Sequence, residues 1–549
     1  MEEEKSPNSS HLSDLNDRTR EAGTRDEHMA RLSEHVHVHA IVGEERTIHE
    51  SRANEFAMMA AQEVVCGKVT PRTDREARES ADWETMWKPA LELEYQTLHK
   101  MGTFEYVRRS EMEKLGKKTK GVKNVYKIKV KKDGTIDRAK ARLVVQGFSL
   151  IPQEEFHDSY SSVLSHANLR MMVYLSSQNT EEELSSGDVG NAFVESSLPP
   201  SEVVFVEQHP DIATDEYPAD EWVLRLRKGL YGLPQAGRGF QRLLERTMDG
   251  MGFKRLSTET CLFIKHDPIH GRIIVGAYVD DLTCLTASKF LRDEWRAGLR
   301  AAFKRVTFED KLDYILGISI DEGICPATGR KYVQMNHSRS IEKIAEKAGV
   351  TDKTRKCHTP MNHSITCRKK AEGEDVDSSY VPSFDYRQIL GSLMYLANLT
   401  RLDIVTAVNK LARYVLDPSH AHYKALYHVV AYTYYSRDRC LRYTEASQKE
   451  GDGPNGEGDG KGNPYRLYAA VDASFGDCLD TGRSTVGRCL WMGSKCNGLI
   501  DWKSSVPKQV AQSTTESELQ GTIEGAKDVV YARALLHDLG YEQHGSTKI

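Results

Sequence analysis

Two adjacent carboxylates, Asp280 and Asp281, interrupt an apolar run, Arg272-Ile-Ile-Val-Gly-Ala-Tyr-Val-Asp-Asp-Leu-Thr-Cys-Leu285. Hard divalent cations prefer carboxylate oxygens, so such a pair is a candidate metal site, although an isolated Asp pair is more often a polar turn. A third acid changes that balance. Asp188 lies 92 residues earlier, in Leu184-Ser-Ser-Gly-Asp-Val-Gly-Asn-Ala-Phe-Val194. The N–H groups of Gly190 to Ala192 that follow it are placed to receive phosphate oxygens, and Phe193 would wall one side of an incoming sugar. Lys140 and Arg142 stand two apart in Arg138-Ala-Lys-Ala-Arg-Leu-Val-Val-Gln-Gly147. On a strand they share a face and would grip a triphosphate or a backbone phosphate.

These side chains need particular elements to carry them. Residues 272 to 279 are rich in Ile, Val and Tyr, and Leu282, Cys284 and Leu285 resume the pattern, which predicts two strands meeting at an acidic turn. Neighbouring strand residues face opposite ways, so one acid should dominate a shared metal site, with Asp280 ranked ahead of Asp281. Between Arg108 and Arg142 fourteen Lys or Arg stand against four Asp or Glu, a basic patch hidden within a chain of net charge -5. Within it, Tyr126-Lys-Ile-Lys-Val-Lys-Lys-Asp-Gly-Thr-Ile136 predicts a hairpin around Asp133-Gly134 with a basic outer face. Helices are expected over His166–Ser176 and after Ala81–Ala90, where Leu91, Leu93 and Leu98 recur at helical spacing. The glycines and Pro234 of Arg227-Lys-Gly-Leu-Tyr-Gly-Leu-Pro-Gln-Ala-Gly-Arg-Gly-Phe240 would let backbone approach a ligand just before another helix.

A chain of 549 residues exceeds one core, so two to four domains are expected. No apolar run reaches bilayer length and the acidic N-terminus lacks a signal-type apolar stretch, which points to no membrane and an intracellular location, in a cytoplasmic particle or the nucleus. Ten scattered Cys without a Cys-x-x-Cys argue against a zinc ribbon or a disulfide framework. Residues 1–78 are polar and expected to be mostly disordered. There His35, His37 and His39 alternate as potential metal ligands, with no Cys or acid cluster nearby to complete a shell. A Gly-rich linker over 449–464 marks a boundary. Beyond it, strands are expected at Tyr465–Asp472, Ser484–Trp491 and Gly498–Ser504, then a helix bearing Glu516 and Glu518.

Taken in order, these segments resemble the reverse transcriptase of Ty1/copia-type long-terminal-repeat retrotransposons. Lys140-Ala-Arg-Leu-Val-Val-Gln-Gly-Phe148 is similar to the family's Lys-Ala-Arg-Leu-Val-Ala-Lys-Gly-Phe, with Gln146 for Lys. Asp188-Val-Gly-Asn-Ala-Phe193 resembles the first palm motif, with Gly190 in the retroviral manner. Leu230-Tyr-Gly-Leu-Pro-Gln-Ala-Gly-Arg-Gly-Phe240 resembles Leu-Tyr-Gly-Leu-Lys-Gln-Ala-Pro-Arg-x-Trp, departing at Pro234, Gly237 and Phe240. Tyr-Val-Asp-Asp stands unaltered at 278 to 281. Blocks at Leu312–Ile318, Tyr386–Leu396 and Thr400–Ile404 extend the resemblance, with Leu402 where the family usually has Pro.

The resemblance implies an α+β right-hand polymerase followed by an incomplete α/β RNase H-like domain. Fingers and palm would occupy 79–340, thumb or connection helices 341–448, and the RNase H-like part 465–549. It implies RNA-directed DNA polymerisation, adding deoxynucleotides to a primer 3′-hydroxyl on an RNA or DNA template, within a larger polyprotein or alone. Two Mg²⁺, with Mn²⁺ as an alternative, would be held by Asp188 and Asp280, with Asp281 secondary. Lys140 and Arg142 would neutralise the triphosphate, Gln235 would lie against nucleotide or template, and Phe193 would exclude a 2′-hydroxyl. Asp472 and Glu518 align with RNase H acids, Ser474 replaces another, and the family's third acid is not found before Ile549, so ribonuclease activity is not expected. Asp480-Thr-Gly482 resembles a protease turn, but Arg483 follows and no apolar strand precedes it. The rival reading is a decayed or repurposed copy that binds nucleic acid without catalysis, suggested by Gln146, Gly237 and Phe240.

Overall fold

The computed structural model describes residues 64–65, 67–131, 135–210, 214–362, 365–370, 384–445, 463–493 and 497–549. Residues 1–63 with the His35, His37 and His39 run, the Asp133-Gly134 turn, and the linker up to residue 462 lie outside the described residues. What is described belongs to one contact unit, Asn54–Ile549.

Helix α1 (Lys88–Lys100) continues from a π-helical turn over Trp83–Trp87 and buries Leu91, Glu94, Tyr95 and Leu98. That stripe has helical spacing, but Leu93 is 61% exposed and the inward position beside it belongs to a carboxylate. Against α1 packs the basic hairpin of β1 (Val122–Val130) and β2 (Ile136–Val145). Lys127 is opposite Lys140, Lys129 opposite Arg138, and Val125 opposite Arg142. Directly opposed residues share a face, so the cations line one side, while Tyr126, Ile128, Ala141 and Leu143 are buried on the other.

Helix α2 (His166–Gln178) is capped by Ser165, whose hydroxyl accepts the Asn168 N–H. It lies under a six-stranded antiparallel sheet built from β3 (Glu183–Val189), β4 (Leu262–Asp267), β5 (Gly271–Tyr278), β6 (Asp281–Thr286), β7 (Val306–Glu309) and the short strand Lys254–Arg255. The spatial order is Lys254–Arg255, β4, β5, β6, β3, β7, so β3 inserts between two strands that follow it in sequence. Ile274 and Leu285 share a core with α2, whereas Ile273, Val275 and Cys284 share one with helices over Ala236–Gly250 and Lys289–Ala302. Burial on both faces explains why β5 reads as a continuous apolar run instead of an alternating one.

Helices α3 (Tyr386–Leu399), α4 (Val405–Ala412) and α5 (His420–Tyr435), with a further helix over Ser338–Ala348, enclose a separate core. The C-terminal segment is a meander of β8 (Leu467–Ser474), β9 (Thr485–Met492) and β10 (Leu499–Ser505), covered by the long helix α6 (Thr514–Asp538). Gly521 and Gly525 make that contact possible, because a Cβ on either would lie 2.8 or 2.4 Å from Val471. One apolar core runs from Leu169 and Tyr174 through Met492 and Ile500 to Leu536. At its edge Arg170, 2% exposed, donates to the carbonyls of Ile500, Asn398 and Leu399, pairs with Asp501 at 3.0 Å and lies 4.0 Å over the Trp502 ring. No helix among the described residues is long and apolar enough to cross a membrane.

Candidate active site

The hairpin of β5 and β6 turns through two residues, Val279 and Asp280, with Tyr278 opposite Asp281. Val279 takes φ +56°, a conformation costly for a β-branched side chain, so the surrounding sheet must hold the turn in place. Part of that hold is the Val189 N–H, which donates to the Asp280 carbonyl at 3.0 Å. On β3, Asp188 stands directly opposite Asp281. Three acidic residues thus occupy neighbouring backbone positions where two adjacent strands end. Strand alternation does not rank Asp280 against Asp281, because Asp280 belongs to the turn and Asp281 to the strand position facing Asp188.

Electrostatics separates the two acids instead. Burial pushes the Asp280 carboxyl above the usual carboxylate range, Asp188 adds to this, and Arg142 and Lys140 pull it back. Burial, Asp280 and Asp188 push Asp281 up to about 7, with Lys129 opposing. Asp280 therefore feels the Lys140 and Arg142 charges, and Asp281 the Lys129 charge. The Lys140 ammonium is lowered to about 8 by burial and by the neighbouring Arg142 and Lys129 charges, with Glu94 offsetting part of the effect. Like charges gathered in this way favour an anionic partner, and Glu94 supplies part of that compensation from within the chain.

The donor set suits Mg²⁺, a hard cation that takes one or two carboxylates and completes its shell with water and phosphate oxygens. Among the described residues no group of three His, Cys, Asp or Glu side chains converges closely enough to hold a metal ion by itself. Asp188, Asp280 and Asp281 are the residues that would contribute.

Phe193 is linked to this cluster through Tyr231, which feels the Asp280 charge. Phe193 lies on the short helix Ala192–Glu195, half-buried, and meets the Tyr231 ring edge-on. Gln235, 4% exposed at the start of the helix Ala236–Gly250, has neither side-chain polar atom hydrogen-bonded. A buried amide left unpaired costs stability, which favours a bound partner for it.

One expectation about the backbone is corrected. The Gly190 N–H donates to the Arg305 carbonyl at 2.9 Å, so it is not free for phosphate. In the 227–240 loop Gly229 and Gly232 approach the chain's own backbone, whereas Gly237 and Gly239 approach the hydroxyls of Ser161 and Ser196. A Cβ at Gly232, whose φ is +89°, would lie 2.0 Å from the Val145 carbonyl oxygen, and one at Gly147 would lie 2.0 Å from that of Gly232. This mutual contact seats the basic hairpin against the loop bearing Tyr231 and Gln235.

In the C-terminal segment Asp472 and Glu518 are both exposed. Val471 faces α6, so alternation turns Asp472 to the other side of the sheet. Sequence reading missed Glu94, Lys129 and Tyr231. Glu94 and Lys129 were hidden within ordinary helical and basic patterns, and Tyr231 was noted only as part of a motif.

Residues 109–363 match the reverse transcriptase (RNA-dependent DNA polymerase) family. The chain is 27% identical over 457 residues to the retrovirus-related Pol polyprotein from transposon TNT 1-94 of Nicotiana tabacum, covering 83% of this chain and 32% of that protein. It is 29% identical over 422 residues to the corresponding RE1 polyprotein of Arabidopsis thaliana, covering 76% and 26%. A transposon Ty5-1 protein of Saccharomyces cerevisiae is 26% identical over 340 residues, 60% of this chain and the whole of that protein. The chain thus spans about a third or less of the length of the two polyproteins. It carries a reverse transcriptase domain and is a relative of the Pol polyproteins of Ty1/copia-type transposons.

Proposed function

We propose that this chain is an RNA-directed DNA polymerase that extends a primer 3′-hydroxyl with deoxynucleotides. The observation that carries the reading is the placement of Asp188, Asp280 and Asp281 at neighbouring strand and turn positions, within the electrostatic reach of Lys129, Lys140 and Arg142 on the basic hairpin. In the proposed layout the hairpin and α1 are fingers, the six-stranded sheet is the palm, and the helices from Ser338 to Tyr435 are the thumb or connection. Mg²⁺, when bound, would stabilise charge on the attacking and leaving oxygens. Asp188 and Asp280 would be its main protein ligands and Asp281 a secondary one. Asp280 is ranked first because the charges of Asp188, Lys140 and Arg142 all act on it.

Lys140 and Arg142 would orient the triphosphate and offset its charge, Phe193 would close the sugar side, and Gln235 would meet the nucleotide or template with its unpaired amide. Template and primer would be held through their backbones, giving salt-sensitive binding. Residues 465–549 would be an RNase H-like unit whose role here is support. Asp472 lies on the face of the sheet away from α6 and Glu518 is exposed, so the pair forms no evident nuclease centre.

Two of the sequence departures are explained by packing and so do not by themselves argue for a decayed copy. Phe240 is 2% exposed within the core, and at Gly237 any Cβ would lie 2.8 Å from Ser161 Oγ, so both positions serve packing. Extension of a DNA primer on an RNA template separates the two readings. The enzyme predicts elongated product; salt-sensitive RNA binding without elongation would establish the binding-only alternative.

A further inference from the structure

Tyr231 touches two side chains that the proposed reading assigns to different parts of the nucleotide. The Arg142 guanidinium lies 4.4 Å over its ring, and Phe193 meets it edge-on with centroids 5.2 Å apart at 70°. Its own position is set by backbone, since its carbonyl accepts the Val145 N–H at 2.8 Å and the next residue, Gly232, packs on the Val145 carbonyl. The ring is thus fixed to the strand that carries Lys140 and Arg142.

Behind Arg142 stands Glu94, 7% exposed, with one carboxylate oxygen lacking a hydrogen-bond partner. Arg142 Nε is also buried and unpaired. Burial raises the Glu94 carboxyl, against the pull of Arg142, then Lys140 and the Leu143 N–H. A buried acid with a cation as its strongest opposing influence acts as that cation's counter-charge. Tyr231 feels the same groups: burial pushes its hydroxyl up to about 12, Arg142 pulls it down, and Asp280 and Glu94 add to the rise.

We propose that Tyr231 is a positioning residue that sets Arg142 and Phe193 together, coupling the grip on the triphosphate to the wall that rejects a ribose, with Glu94 as the buried counter-charge of Arg142. The inference rests on the polymerase reading. Its physical content is the flat ring: one face attracts the guanidinium and the ring's remaining surface supports Phe193, which an aliphatic side chain of similar volume cannot reproduce.

The test is steady-state incorporation of single deoxy- and ribonucleotides by the full chain, by Tyr231→Phe and by Tyr231→Leu. Elongation by the parent chain establishes the polymerase reading, and loss of ribonucleotide rejection in Phe193→Ala establishes the wall. With those in hand, Tyr231→Leu is expected to raise the deoxynucleotide KM roughly 5- to 30-fold, change kcat less than about threefold and lower discrimination against ribonucleotides roughly tenfold. Tyr231→Phe keeps the ring and should stay within about threefold of the parent in all three. Should Tyr231→Leu fail to fold, Glu94→Gln is expected to raise KM roughly 3- to 10-fold at unchanged kcat. Tyr231→Leu moving only one of KM and discrimination, Tyr231→Phe behaving like Tyr231→Leu, or an unchanged KM in Glu94→Gln would each overturn the inference while leaving the polymerase reading intact. A parent chain that does not elongate would remove both.

Discussion

Asp188, Asp280 and Asp281 crowd negative charge at one end of a sheet, and that crowding has a cost when no cation is bound. Replacing Asp281 by Asn removes one of the repelling groups, so Asp281→Asn is expected to be more stable than the parent by about 1–2 kcal/mol near neutral pH without divalent ions. Thermal unfolding checks this as a rise in Tm of a few degrees. A lower Tm would mean that Lys129 and Arg142 already neutralise the cluster. The residue types here were legible because Asp188, Asp280 and Asp281 fall, in order, in segments that resemble the family's palm motifs. Their geometry was not: a two-residue turn with Val279 at φ +56° takes Asp280 out of the strand's alternation, and the facing of Asp281 and Asp188 depends on a non-local register.

At the scale of elements, the basic hairpin is held from its inner side by more than apolar packing. Asp74, in the first turn of a helix over Asp74–Glu79, accepts from Asn124, Tyr126 and His209 at 3.0, 2.7 and 3.1 Å. Burial acts to raise its carboxyl, but the hydrogen bonds from His209, Tyr126 and Asn124 outweigh it and bring the group to about 2. A carboxyl lowered by folding stabilises the native state above its ordinary value near 3.8 and loses that contribution as pH falls toward 2. Asp74→Asn is therefore expected to cost about 1–2 kcal/mol at neutral pH, with the difference from the parent narrowing between about pH 4 and pH 2. Chemical denaturation across that range measures it, and a pH-independent difference would assign the loss to packing. The hairpin strands were legible because apolar and basic residues alternate with period 2. The inward face of α1 was not, because Leu93 looked like core and Glu94 like surface, whereas the helix buries the acid as a partner for cations on another element.

For the whole molecule, the decisive contact is Arg170, which ties α2 to the carbonyls ending α3 and to β10 at once. Truncating it leaves three carbonyls and a carboxylate without their cation, so Arg170→Ala is expected to cost about 3–5 kcal/mol. Because one apolar core passes from α2 into the C-terminal sheet and helix, the C-terminal unit should unfold with the central sheet in one calorimetric transition. Two resolved transitions would contradict that coupling. The Gly-rich linker suggested a boundary from sequence, and composition alone gave no sign that the segments on its two sides share a core. The most direct test of the account is single-turnover addition of one deoxynucleotide to a DNA primer on an RNA template with Mg²⁺, comparing the full chain with Asp280→Asn. The account predicts addition by the full chain and a rate at least about 100-fold lower in the variant, with RNA affinity unchanged. Equal rates, or no addition by the full chain despite RNA binding, would contradict it.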